Sequence, residues 1–124
     1  MVPGRAAAQG LEWFEGALPL KVESIFINDP VVTLPGEEWS FTAMCPWRLV
    51  GPDVRISWES ERIDEAVLRL SGRSIIAVSA TDSDATDPVL RFDGGYILSV
   101  EADTDLDPWW LDLPEIGIVG RQAL

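Results

Sequence analysis

The sequence predicts a mainly β (α+β) fold: a curled antiparallel sheet, a roll or partly open barrel, made from two similar β-meander units with one α-helix at about residues 60–70 between them. Three observations lead there. Apolar and polar residues alternate over short runs separated by Gly, Pro and Asp turns. One unit is used twice: DPVVTLPGEEWSFTAMCPW from Asp29 to Trp47, and DPVLRFDGGYILSVEADTDLDPWW from Asp87 to Trp110. Each opens on Asp-Pro-Val, turns at a Gly, runs out through an aromatic strand and closes on Pro-Trp. Between them, and only there, the apolar period changes from two to that of a helix.

In chain order, residues 1–10 (MVPGRAAAQG) are small and polar and read as a flexible N-terminal arm. Residues 11–124 read as a single β-rich domain, with pseudo-repeats at about 18–50 and 70–113. Leu20–Asn28 is the first strand, centred on the β-rich run Ile25-Phe26-Ile27. Asn28-Asp29-Pro30 turns the chain, Val31–Leu34 is a strand, and Pro35-Gly36 turns it again. In Trp39–Cys45, Trp39, Phe41, Ala43 and Cys45 share one face. Trp47–Val50 is a short strand, Gly51-Pro52-Asp53 a turn. Val54–Trp58 then alternates, with Val54, Ile56 and Trp58 inward and Arg55 and Ser57 outward.

The helix shows Ile63, Ala66, Val67 and Leu70 on one face, Ser60 as its N-cap and Gly72 as its stop. Asp64 or Glu65 pairs with Arg69 on the wet face. Ser74–Ala80 reads as a buried strand. Val89–Phe92 and Tyr96–Glu101 form a hairpin across Asp93-Gly94-Gly95, the strongest turn signal in the chain. Trp109–Leu113 is a strand, and Ile116–Val119 adds an edge.

The 21 acidic against 9 basic residues give a net charge of −12. From Asp82 to Glu115 there are ten carboxylates and one base, Arg91. Such a field repels nucleic-acid backbones and attracts a basic protein surface. Nor do the spread bases make a nucleic-acid face. No run is long and apolar enough to span a membrane, and the first ten residues lack a signal-peptide core, so a cytoplasmic protein is expected. The lone Cys45 forms no internal disulfide and reads as a small buried hydrophobe.

Chemistry is sparse. With no His and one Cys, a conventional zinc site is excluded. Asp103, Asp105 and Asp107 alternate, as do Asp82 and Asp84. Counted from Asp103, however, an EF-hand loop would have Pro108 at its sixth position and Pro114 at its twelfth. No nucleophile elbow, P-loop or dinucleotide fingerprint occurs. Acidic pairs such as Glu59/Glu61 and Glu37/Glu38 read as solvated surface, and Arg48 as a base paired within the fold. The expectation is therefore a non-enzyme without cofactor or metal.

The candidate partner-binding residues are Asp82, Asp84, Asp103, Asp105, Asp107, Trp109 and Trp110. On a strand, Trp109 and Trp110 point to opposite faces. One is core; the other stands beside the acidic loop as an aromatic anchor for a basic protein. The alternative is a small-molecule binder with a pocket lined from Trp13, Trp39, Trp47 and Trp58. A homodimer through the Ile116–Val119 edge is compatible with either.

Leu70, Gly72, Asp87, Leu90, Phe92, Gly95, Leu98 and Trp109 or Trp110 follow the pattern Leu-x-Gly, a β-run, Asp-x-x-Leu-x-Phe-x-x-Gly, a β-run and a late Trp-x-Leu. The pattern resembles that of a set of small bacterial, actinobacterial-type domains of unknown function. It spans residues 70–111, with a weaker echo in 18–49. Its motifs specify strands and turns, and the resemblance implies no known activity. Some small acidic domains of this kind are similar to immunity proteins encoded beside secreted toxins, an analogy that carries over no residue.

Overall fold

A computed structural model of the chain describes residues 16–28, 31–44, 46–61, 63–80, 88–101, 109–113 and 116–119. The side chains of Asp64, Ala80, Trp110 and Ile116–Val119 lie outside that description. The fold is mainly β, with two antiparallel sheets and one short helix.

The strands are β1 (Leu20–Lys21), β2 (Phe26–Asn28), β3 (Val31–Gly36), β4 (Trp39–Ala43), β5 (Trp47–Gly51) and β6 (Val54–Ser57). After the helix α1 (Ile63–Val67) come β7 (Ser74–Ala80), β8 (Pro88–Phe92), β9 (Ile97–Val100), β10 (Trp109–Leu113) and β11 (Ile116–Val119). One sheet has the order β1-β7-β8-β9-β5-β6, the other β11-β10-β4-β3-β2. Both have free ends, so neither sheet closes into a barrel.

The order carries an exchange. Hairpin β3–β4, from the first half, is extended by β10–β11 from the second. Hairpin β8–β9, from the second half, is extended by β5–β6 from the first. Each Pro-Trp strand therefore leaves its own hairpin and completes the other sheet. The ladders correspond: Trp47 pairs with Val100 and Leu49 with Leu98, while Trp109 pairs with Ala43 and Leu111 with Phe41. The shared Asp-Pro does not correspond in the same way. Thr33 opposite Thr42 occupies the place of Val89 opposite Ser99, so Pro88 matches Val32, two residues past Pro30.

Period-two alternation supplies one core from both sheets. Leu34, Phe41 and Leu111 from one sheet, and Leu49, Leu90 and Leu98 from the other, are buried in a single cluster. Phe41 and Trp109 rings lie 5.6 Å apart, tilted by 32°. The helical stripe Ile63, Ala66, Val67 and Leu70 is buried as expected. The helix itself is shorter than expected: α1 tightens into a 3-10 turn at Leu68–Leu70, and Gly72 at φ 80° ends it. Ser60 is not its N-cap. Its hydroxyl accepts the Ser57 N–H at 3.0 Å and closes a turn ahead of the helix.

Two expected strands differ. Leu20–Asn28 is split into β1 and β2, which belong to opposite sheets. Between them the Val22 N–H donates to the Arg73 carbonyl, the Gly72 N–H to the Val22 carbonyl, and the Glu23 N–H to the Pro35 carbonyl, all at 2.8–2.9 Å. The segment thus straps one sheet to the other. The Trp39 indole N–H adds a bond to the Lys21 carbonyl at 3.2 Å, and a Cβ at Gly36 would run into that indole. Ser74–Ala80 is not buried throughout. A bulge between Ile75 and Ala77 leaves Ile76 54 % exposed. The expected strand Trp39–Cys45 ends at Ala43; Cys45 lies outside the described residues.

Because each half completes the other's sheet, damage to either exchanged strand should weaken the whole molecule. Leu49→Ala and Leu111→Ala, both fully buried, are expected to cost about 2–5 kcal/mol each. Urea denaturation followed by both Trp fluorescence and far-UV dichroism should show one coincident transition in each variant.

Candidate functional site

Antiparallel pairing divides the fold into two ends. One end carries the tight turns Gly36–Trp39, Gly51–Val54 and Phe92–Tyr96. The other carries the strand ends from which the chain crosses between sheets: Ala43 to Trp47 and Val100 to Trp109.

The turn end is tied by side chains. Asp53 sits in the β5–β6 turn and accepts the Tyr96 phenol O–H at 2.8 Å and the Arg69 Nε–H at 2.9 Å. Arg69 reaches Asp53 rather than the Glu65 carboxylate of its own helix, and the Asp64 side chain lies outside the description. The Arg69 terminal N–H donates to the Glu65 backbone carbonyl at 3.1 Å. The Arg73 guanidinium lies 5.1 Å from the Tyr96 ring centroid. Asp93 accepts the Ser74 N–H at 2.7 Å. Gly94 is required here: φ is 83°, and a Cβ would strike the Arg73 guanidinium. A Cβ at Gly51 would likewise strike the Tyr96 ring.

The hydrogen bond from Arg69, followed by that from Tyr96, holds the Asp53 carboxyl below its ordinary value. The same bond raises the Arg69 guanidinium and the Tyr96 phenol. Asp53, Arg69 and Tyr96 are bonded to one another, which makes the cluster a structural clasp between the β5–β6 turn, the 3-10 turn and the β8–β9 turn.

The crossing end is open. Pro46, Trp47, Arg48, Ser57, Trp58, Glu59 and Glu101 line a groove of about 330 Å³. Two backbone bonds set its walls: the Glu101 N–H donates to the Pro46 carbonyl at 2.8 Å, and the Trp58 N–H to the Trp47 carbonyl at 3.0 Å. Trp58 is half-buried; Arg48, Glu59 and Glu101 are exposed. An aromatic face between two carboxylates suits a cation. Arg48 also borders a second depression with Arg55, Ile56, Ser57 and Ser60. Arg48 is exposed, and among the described residues the one ion pair is Arg69–Asp53, so the expected pairing of Arg48 is not found among them.

The sequence-derived partner residues are placed unevenly. Asp82, Asp84, Asp103, Asp105 and Asp107 lie outside the described residues. Their anchor points are described. Residues 81–87 join Ala80 to Pro88, which are ladder neighbours. Residues 102–108 join Glu101 to Trp109. All of these anchors belong to the crossing end, and one of them, Glu101, lines the groove. Trp109 is 2 % exposed and is the core member of its pair, so it offers no exposed anchor. Trp110 stands opposite Thr42 in the ladder, and its side chain lies outside the description.

Of the four Trp residues considered for a ligand pocket, Trp39 and Trp47 are packed into the core and Trp13 lies outside the described residues. Trp58 alone of the four faces the groove from a half-buried position. No group of three or more metal-ligating side chains occurs among the described residues. No helix there is long and apolar enough to cross a membrane. Sequence reading missed the joining of Trp58, Glu59 and Glu101, because the β5–β9 pairing that unites them spans about half the chain.

Comparison of the chain with protein-family models, with curated proteins and with solved structures finds no match.

The clasp predicts a pH dependence. Asp53 has a depressed folded-state pKa, so its contribution to stability is present above the ordinary value of 3.8 and is lost as pH falls through the lower folded value. Tyr96 has a raised one, so its contribution is present below 10.0 and is lost as pH rises through the higher folded value. Asp53→Asn should flatten the change in melting temperature between pH 5 and pH 3 relative to the parent chain. An unchanged acid slope would show that the clasp carries no folding linkage.

Proposed function

We propose that the protein is a non-enzymatic interaction module that docks a basic protein partner at its crossing end. The observation that carries this reading is the convergence of anchors. Both acidic segments, 81–87 and 102–108, spring from the end that holds Trp58, Glu59 and Glu101. Asp82, Asp84, Asp103, Asp105 and Asp107 would steer the partner, and Trp58 with its two carboxylates would seat a Lys or Arg side chain. Trp110 remains the candidate aromatic anchor of the Trp109-Trp110 pair. Neutralisation of a basic toxin, as an immunity protein does, is one form of this activity. The reading favours a protein whose docking needs no cofactor.

A lysine octapeptide titrated by calorimetry tests the placement of the charge. Binding should weaken steeply with salt. Asp103→Lys with Asp105→Lys should weaken it by about tenfold or more. Glu37→Lys with Glu38→Lys makes the same charge change at the turn end and should leave affinity within about twofold. Equal losses in both double variants would mean that only net charge matters, and the docking end would be wrongly assigned.

A further inference from the structure

The outward positions on β8, β9, β5 and β6 form two rows across the sheet. Val89, Ser99, Arg48 and Ser57 are successive ladder partners in one row. Arg91, Ile97, Val50 and Arg55 are successive partners in the other. In a chain with 21 acidic residues against 9 basic, these eight positions gather three arginines and no carboxylate, and Glu59 and Glu101 border the first row at its Arg48 end. Among the described residues, none of the three makes an ion pair.

Two of these arginines converge. Arg48 and Arg55 sit on paired strands and line one depression with Ile56, Ser57 and Ser60. The Ser60 hydroxyl oxygen already accepts the Ser57 N–H at 3.0 Å. Its own proton is therefore left to donate elsewhere. Guanidinium forks are donors in a fixed plane, weakly hydrated and always charged, which suits them to oxyanions.

We propose that the Arg48–Arg55–Ser57–Ser60 depression is a binding site for a phosphoryl group. Two arginines and two serines line one concavity, a donor set that suits the several oxygens of a tetrahedral phosphate better than the two of a planar carboxylate. The net charge of −12 does not forbid it: distant carboxylates are largely screened at physiological salt, and the near ones, Glu59 and Glu101, line the adjoining groove and not the depression. The adjoining groove shares Arg48 and Ser57 with this depression and offers Trp58, Glu59 and Glu101 to a cation. A phosphorylated side chain next to a Lys or Arg would fill both, and free phosphate would fill the first alone. The site is distinct from the acidic segments and does not depend on the docking proposed for them.

Two-dimensional ¹⁵N–¹H spectra of the whole chain test this with inorganic phosphate, with acetate, and with a lysine-flanked phosphoserine peptide. Phosphate should move the Ser57 and Ser60 amides saturably, and more tightly than acetate. Arg55→Gln should weaken phosphate binding by about tenfold, the equivalent of one charge-assisted contact. Arg91→Gln removes the same charge from the same face but outside the depression, and should change affinity by less than about twofold. Tighter binding of the peptide than of phosphate would identify a phosphorylated segment as the source; equal binding would identify the free anion. Non-saturating shifts, or equal losses in Arg55→Gln and Arg91→Gln, would overturn the proposal. Unchanged melting of both variants keeps folding out of the result.

Discussion

The exchange of the two Pro-Trp strands is the constraint on which the rest of the structure depends. A lone hairpin is marginal in water, and three or more strands with an apolar face are needed for stability. Each half of this chain supplies a three-stranded meander, β2–β3–β4 or β7–β8–β9, and draws the strands beyond β4 or β9 from the other half. Leu49 reaches the core only by pairing with Leu98, and Leu111 only by pairing with Phe41. Burial of these residues therefore requires both halves at once. The strap from Lys21 to Glu23 reinforces the arrangement, because its backbone bonds reach Arg73 and Gly72 on one side and Pro35 on the other.

The same exchange separates the two ends by character. Hairpins β5–β6 and β8–β9 each close on a tight turn, and these two turns are tied by the Asp53–Arg69–Tyr96 clasp with Arg73 on the Tyr96 ring. The chain changes sheets between β4 and β5 and between β9 and β10, and the second of these connections, from Glu101 to Trp109, is rich in aspartate. At the crossing end Glu59 and Glu101 line a groove with Trp58, while the outer face of β5 and β6 carries arginines. Net charge alone hides this division: a strongly acidic chain keeps a local basic face.

Much of the local structure was legible in the residues. Gly94-Gly95 announced a turn because positive φ is open to glycine, and both adopt it. Ile63, Ala66, Val67 and Leu70 announced a buried helical stripe, and it is buried. Trp39, Phe41 and Ala43 announced an inward face. What was not legible is what pairs with what. Alternation gives each strand a face but no partner, so Leu20–Asn28 read as one strand although it serves two sheets. The bulge at Ile76 has no local signal in SIIAVSA. The Asp53–Tyr96 bond joins residues 43 apart, and Arg69 had nearer acidic choices on its own helix. Likewise Trp58, Glu59 and Glu101 meet only through strand pairing, so the groove was invisible while the acidic runs were plain.

Native-state hydrogen exchange under increasing denaturant tests the exchanged architecture most directly. The amides to follow are those of Leu49 and Leu98 in one sheet and Phe41 and Leu111 in the other. If each half completes the other, the slowest-exchanging amides of both ladders should converge on one opening free energy with one denaturant dependence. Persistent protection in one ladder after the other has opened would mean that the sheets unfold separately, and would contradict the account.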